Sequence, residues 1–306
     1  MTTKITLTSG IIGLMSVAAY SVNADAKPLE FYGKVDVSVQ SSEEGEGRFT
    51  EMKSNASKFG VKGDYALEDG LIIVYKLEWQ VDVSDDSNEK NLKSRNQYIG
   101  LKGNFGEVRL GRHDTALKMS QGKADFFSDY EADVKTLWKG ENRVNDSISY
   151  FSPIYAGFGM QLTYVVADAA DADDALSAAI FYGDEGLKQS NIYAALAYDS
   201  EVNGYDTLRA SAQFKLAEFT LSTMYQRQED ITTQLDRDGY LVGVAYPWQK
   251  LTLKTQYQVM DDDNGASVGV DYKLGKNSQI YAWYSSFNFD LAEDTDYLAV
   301  GLTHKF

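Results

Sequence analysis

The chain has 306 residues, with 45 acidic against 29 basic side chains, a formal charge of −16 and no cysteine. That acidity excludes a nucleic-acid partner, which needs basic surface to neutralise phosphates. The missing thiols exclude disulfides, thiolate nucleophiles and cysteine metal sites.

Residues 1–24 read as a cleaved signal peptide. Lys4 supplies a positive start, Ile5 to Tyr20 is mostly apolar, and Val22-Asn23-Ala24 suits a peptidase cut before Asp25. The apolar run falls short of the roughly 20 residues of a spanning helix. Residues 25–306 then form one domain. With 21 Tyr and 25 Gly beside only 3 Pro, it is an aromatic, strand-rich composition. Mean hydropathy is only −0.36. A membrane barrel reconciles the two, because only every second strand residue meets lipid.

From residue 29 onward the period is two. Leu29, Phe31, Val35, Val37 and Val39 share one face, and Glu30, Lys34, Asp36, Ser38 and Gln40 the other. The same alternation recurs in 207–215, where Leu208 and Phe214 oppose Arg209 and Gln213. It returns in 250–259, where Leu253 and Tyr257 oppose Lys254, Gln256 and Gln258. About sixteen such segments follow one another: 29–40, 55–66, 70–83, 95–103, 106–112, 144–153, 157–167, 175–183, 190–199, 206–216, 218–228, 238–246, 249–260, 266–274, 277–288 and 295–306. Tight connections such as Glu68-Asp69-Gly70 and Leu216-Ala217 alternate with acidic ones expected to be long: 41–54, 84–94, 113–143, 167–174, 200–205, 229–237, 261–265 and 289–294. An up-and-down barrel places these two sets at opposite rims.

A soluble sandwich would bury one face of every strand in a core. Here Lys34, Lys58, Lys62, Asp64, Lys76, Glu78 and Arg209 line the face opposite the apolar one, and no amphipathic helix is available to cover the latter. Lipid is the simplest cover, and in lipid no open sheet edge survives, so the sheet closes. Sixteen strands enclose a wide aqueous lumen. Phe31, Tyr65, Trp248 and Phe306 near one strand end, with Trp79, Tyr164 and Tyr284 near the other, suit interfacial girdles.

Several stretches resemble the general trimeric porins of Gram-negative outer membranes. They are Phe31-Tyr32-Gly33-Lys34-Val35-Asp36, Ser57-Lys58-Phe59-Gly60-Val61-Lys62-Gly63, Tyr98-Ile99-Gly100-Leu101-Lys102-Gly103, Gly106-Glu107-Val108-Arg109-Leu110-Gly111-Arg112, Asn145-Asp146-Ser147-Ile148-Ser149-Tyr150 and the terminal Phe306. The resemblance covers essentially the whole chain after the leader. It implies an all-β transmembrane barrel of sixteen antiparallel strands, a homotrimer, and a long third loop, 113–143, folded into the lumen. The family's constriction sets basic wall residues against loop carboxylates. By motif position these are Lys34, Lys58, Arg95 and Arg143 against Asp125, Asp129, Glu131 and Asp133. Asp125-Phe126-Phe127-Ser128-Asp129 replaces the family's tight Pro-Glu-Phe-Gly-Gly turn. Arg95 shares parity with outward Ile99 and Leu101, so it faces inward only if a bulge shifts the phase.

The expected function is passive diffusion of ions and small hydrophilic solutes across the outer membrane, with a weak cation preference from the acidic rim. A substrate-selective channel is the alternative; an aromatic slide would mark it, and inward parity offers only Tyr32, Tyr281 and Trp283. A plugged adhesin or structural barrel stands third. No enzyme is expected: His113 and His304 lack a recognisable nucleophile context. The acidic runs 167–174 and 261–265 lack the spacing of a calcium loop and read as a solvated rim, so no metal or other cofactor is expected. Expected partners are lipid, lipopolysaccharide bridged through divalent cations, small polar solutes, and the barrel-assembly machinery acting on Phe306.

Overall fold

A computed structural model describes residues 29–85, 91–167, 169 and 173–306. The signal-peptide segment 1–24 lies outside the described residues, as do parts of the 84–94 and 167–174 connections. The strands are β1 (Glu30–Glu43), β2 (Phe49–Ser54), β3 (Lys58–Ala66), β4 (Ile72–Val81), β5 (Leu92–Gly103), β6 (Gly106–Asp114), β7 (Arg143–Phe151), β8 (Phe158–Val165) and β9 (Ala175–Gly183). They continue with β10 (Ile192–Val202), β11 (Tyr205–Leu216), β12 (Phe219–Asp230), β13 (Leu235–Trp248), β14 (Leu251–Met260), β15 (Asp263–Lys273), β16 (Ser278–Asn288) and β17 (Thr295–Lys305).

Apart from β2 and β3, which do not pair with each other, each strand pairs antiparallel with its sequence neighbours, and β1 pairs with β17 from Lys34↔Lys305 to Glu43↔Asp296, closing the sheet. β2 and β3 are two halves of one barrel strand. β1 pairs with both, through Val37↔Ser54 and Lys34↔Lys58, and the break at Asn55–Ser57 carries a left-handed Ala56 (φ 49°). The barrel therefore has sixteen strands, matching the periodicity.

Alternation sorts the side chains as lipid and water demand. Outward Val39, Ile99, Leu110, Leu298 and Val300 are each more than half exposed. Inward Ser38, Gln40, Ser149, Ser177 and Gln226 are buried. The apolar band faces away from the protein, and the enclosed side is polar. That inversion of the ordinary core is expected where hydrocarbon replaces water outside.

The closing seam depends on one glycine. Gly33 and Phe306 exchange two backbone hydrogen bonds, at 3.0 and 3.1 Å, and the Phe306 ring lies over the Gly33 Cα. A Cβ at residue 33 would sit 2.3 Å from Phe306 Cζ.

Four connections expected to be long are not. The 200–205 stretch closes as a two-residue hairpin with left-handed Asn203 (φ 52°) and Gly204 (φ 82°). Asn-Gly is the sequence that tight primed turns favour. The 229–237 connection shortens to 231–234, and 261–265 to Asp261 and Asp262. Most of 41–54 is also strand, leaving only 44–48 as loop. Acidic composition suggested length in all four, yet carboxylates sit equally well on strand ends that project into water.

Gly33→Val should displace the Phe306 ring and strain the seam by about 1–3 kcal/mol, the usual cost of overpacking. Heat-modifiable electrophoresis checks this: the folded band should unfold at a lower temperature than wild type, and an unchanged transition would contradict the seam's role.

Candidate functional site

The basic wall is built on β1 and β3–β7. The sheet register slips between Leu77↔Gln97 and Trp79↔Ser94, so Arg95 and Asn96 together oppose Glu78. This bulge turns Arg95 inward despite its parity with Ile99. Its Nε donates to Glu78 Oε1 at 2.9 Å and its Nη1 to Gln80 at 2.9 Å. Glu78, only 2% exposed, also receives Lys58 at 3.5 Å, Lys76 at 3.3 Å and the Tyr32 hydroxyl at 2.9 Å. One buried carboxylate thus gathers three cations and leaves a positive surplus on the wall. Arg143 lies beside it, bonding Asn96 Oδ1 at 2.7 Å and Asp114 at 2.9 Å.

The loop from Thr115 to Asn142 covers much of the opposite wall. Thr115 caps the single-turn helix α1 (Ala116–Ser120), its hydroxyl accepting from Lys118 N. Leu117 packs on the small residues Ala179 and Ala197, and its backbone N donates to Ser177 Oγ at 2.9 Å. Farther along, irregular backbone meets inward-facing glutamines. Gln213 takes Lys123 N at 3.0 Å and gives to Lys123 O at 2.6 Å. Gln256 takes Phe126 N at 2.9 Å, Gln228 takes Lys139 N at 2.9 Å, and Gln226 gives to Lys139 O at 2.9 Å. A primary amide carries both a donor and an acceptor, so each glutamine replaces part of a missing strand partner.

Apolar contact completes the anchor. Phe127, Tyr130 and Trp138 are buried against Met224, Leu241, Met260, Tyr281, Trp283 and Phe287, and Trp138 Nε1 donates to Val259 O at 2.8 Å. At the loop's return, fully buried Arg209 bonds Glu141 at 2.6 Å, Gln226 at 2.7 Å and Lys139 O at 3.1 Å.

The four loop carboxylates divide into two pairs. Asp129, in a left-handed conformation (φ 76°), meets Lys34 Nζ at 3.0 Å, and Glu131 meets Lys53 at 2.8 Å. Burial opposes the Asp129 charge, but Lys34, with Arg95 and Lys58 behind it, holds its carboxyl below the usual carboxylate range. Asp125 and Asp133 instead turn into the loop. Asp125 accepts from Phe127 N, Val134 N and Gln256 Nε2, and Asp133 accepts from Asp129 N and caps the Val134–Thr136 turn. On the wall, Lys34 meets the loop directly, whereas Lys58 and Arg95 meet Glu78 and Arg143 meets Asp114.

Sequence reasoning left Lys53 in a loop and treated Lys76 and Glu78 as ordinary lumen residues; Asp114 and Lys118 were not singled out. Parity within 49–54 would have set Lys53 and Glu51 inward. The glutamine pattern at 213, 226, 228, 256 and 258 was a signal that charge-centred reading passed over. Of the two histidines, His113 is buried between Arg109 and the Asp114 carbonyl, each 2.7 Å from a ring nitrogen. His304 accepts or donates at 2.8 Å with Ser278 on the outer surface, and among the described residues no carboxylate orients it.

Trp138→Ala should cost the docked loop about 3–5 kcal/mol, the range for truncating a buried aromatic. Single-channel recordings should then show more frequent current fluctuations than wild type at an unchanged barrel unfolding temperature; a variant trace as quiet as wild type would argue against the anchor.

A family model described as Gram-negative porin matches residues 12–292. Outer membrane porin protein 32 of Delftia acidovorans is 26% identical over 334 residues, covering 96% of this chain and 92% of that one. Major outer membrane protein P.IB of Neisseria sicca is 33% identical over 129 residues, spanning 41% of this chain and 36% of that protein. Among solved structures, the anion-selective porin from Comamonas acidovorans superposes with a TM-score of 0.77 at 20% identity, over 92% of this chain and all of the other. A closed sixteen-strand barrel, its apolar face outward, together with a family match over most of its length, places this chain in the Gram-negative porin family of outer-membrane proteins.

Proposed function

We propose that this outer-membrane channel is a general diffusion pore whose narrowest passage runs between the wall cations Lys34, Lys58, Arg95 and Arg143 and the loop carboxylates Asp129 and Glu131. The observation that carries this reading is the separation of charge: cations stand on the strand wall and carboxylates on the loop facing them, in contact at Lys34–Asp129 and Lys53–Glu131. Such a pair of rows sets up a transverse field. Polar solutes and water align with it, whereas apolar solutes lose ordered water they cannot replace. Asp125 and Asp133 serve instead as braces that hold the loop's shape.

Charge near the passage is close to balanced, because Asp36, Glu78, Asp114 and Asp129 are paired with the wall cations. The acidic vestibule then decides ion preference, and it favours cations weakly. A substrate-selective channel with an aromatic slide is less well supported. Tyr281 and Trp283 are 3% and 2% exposed and lie under Tyr130, with ring centroids 5.0 and 5.6 Å away, so they serve the loop anchor. A plugged adhesin or structural barrel remains an outcome that a silent bilayer would favour.

The same reading takes in the homotrimer, the apolar band meeting lipid, lipopolysaccharide held at the acidic rim through divalent cations, and recognition of Phe306 by the assembly machinery. It treats residues 1–24 as the export leader and assigns the chain no catalytic step.

In planar bilayers the channel should give ohmic steps with a cation-positive reversal potential in a salt gradient. Its cation-to-anion ratio should fall towards one between 0.1 and 1 M salt, as the screening length shortens from about 10 to about 3 Å. Lys34→Ala should raise that ratio several-fold at low salt. An anion-selective reversal in wild type at 0.1 M would overturn the ion-preference claim.

A further inference from the structure

The longest connection on the short-turn rim, 184–191 between β9 and β10, turns back into the lumen. Leu187 is 4% exposed and packs with Tyr193, Ala195 and Phe181. Tyr193 and Ala195 are inward residues of β10, and the Tyr193 hydroxyl donates to Ser120 O of the lumen loop at 3.1 Å. The Leu187 side chain therefore lies inside the barrel.

Local chemistry holds the turn in this shape. Asp184 accepts from Gly186 N at 2.9 Å, Lys188 N at 2.7 Å and Gln189 N at 3.1 Å, so one carboxylate closes the turn. Leu187 N donates to Asp184 O at 2.8 Å, and Lys215 Nζ, reaching across from β11, donates to Leu187 O at 2.6 Å. Leu187 has a φ of 50°, a left-handed backbone that glycine or asparagine adopts more readily. The burial of its side chain offsets that conformational cost.

The turn then meets the loop. Gly122 is also left-handed (φ 58°), and a Cβ there would sit 2.7 Å from Tyr193 Cε1 and 3.3 Å from Glu185 Cβ. From the other side, a Cβ on Gly186 would lie 3.7 Å from Lys123 Nζ. A cavity of about 1030 Å³ lies on the β6–β10 side of this contact, and one of about 670 Å³ on the β11–β17 side. Gln121, Gly122, Ser128 and Glu185 line both cavities. Ser128 also lines the space at the charged passage, beside Arg95, Arg143 and Glu131. Charge around the contact is mixed, with Lys123, Lys188 and Lys215 standing among Asp184 and Glu185. Sorting at this level is therefore by size and not by sign.

From this arrangement we propose that the turn 184–191 is a second size filter, in series with the charged passage. By meeting the loop inside the lumen it divides the lower half of the pore into two lanes. Short turns face the periplasm, so a solute entering from there meets the lanes before it meets the passage. Leu187 is the residue that holds the filter in place. The proposal rests on the diffusion-pore reading and gives that pore a size limit at its short-turn end.

The test uses the full-length channel in planar bilayers, with polyethylene glycols of graded mass added to one side at a time. A polymer that enters the lumen lowers the KCl conductance, and an excluded one does not. Leu187→Asn keeps the left-handed backbone and adds no charge, but it removes the apolar anchor. It should shift the mass limit to larger polymers on one side and leave unchanged the other side, where the passage is met first. Asp184→Ala, which removes the acceptor that closes the turn, should do the same by a separate route. Heat-modifiable electrophoresis identifies a variant that has not formed a barrel, and the other variant then carries the test. In a folded variant, limits unchanged on both sides would overturn the filter. So would a shift on both sides, which would make the turn a brace for the loop. Wild-type protein without conductance steps would remove the diffusion-pore reading and the filter together.

Discussion

A buried backbone donor or acceptor without a partner is expensive, and in hydrocarbon no water relieves it. That single constraint shapes both halves of this molecule. On the strands it forces closure, with β1 meeting β17 and Phe306 bonding back to Gly33. Inside the barrel it falls on a loop that has no strand to pair with. The inward glutamines of β11, β12 and β14 answer it there, each presenting an amide to the loop's own peptide groups. Closure defines the pore, and the glutamines narrow it.

Irregularity does the rest. A perfect two-residue period would send Arg95 into lipid with Ile99. The bulge opposite Glu78 brings it inside and packs Arg95 and Asn96 against two different acids or their partners. Glu78 then holds Arg95, Lys58 and Lys76 close together, although like charges repel. A carboxylate shared among cations costs less than leaving any of them buried alone. The positive wall is therefore a supported structure and not a row of independent lysines, and it keeps its charge in place facing Asp129.

The fold was almost fully legible in the sequence because a barrel strand announces itself by parity. All sixteen segments were readable, including the Arg95 exception, whose bulge was anticipated as the condition for facing inward. Legibility failed where parity carries no information. Asn203-Gly204 was hidden inside an acidic stretch whose charge suggested a longer loop. Lys53 was lost because the break at Ala56 separates its strand into two pieces. Among the loop acids, charge alone could not distinguish Asp129, which faces Lys34, from Asp125, whose oxygens bond backbone amides. Only the path of the backbone separates them. Tyr98, Phe151, Phe181 and Tyr193 also hold inward positions, but the sequence reading counted only Tyr32, Tyr281 and Trp283 there and missed these four, which lie on four different strands.

The natural chain lacks cysteine, which makes single-cysteine substitution along one strand the most direct test of the two-faced sheet. Cysteines placed in turn at residues 58, 59, 61, 62, 64 and 65 of β3, in protein reconstituted into vesicles, are treated with a charged, membrane-impermeant thiol reagent. Labelling should alternate, fast at 58, 62 and 64, where side chains meet the water column, and slow at 59, 61 and 65, where they meet hydrocarbon or a neighbouring barrel. Equal labelling at all six positions would contradict the account.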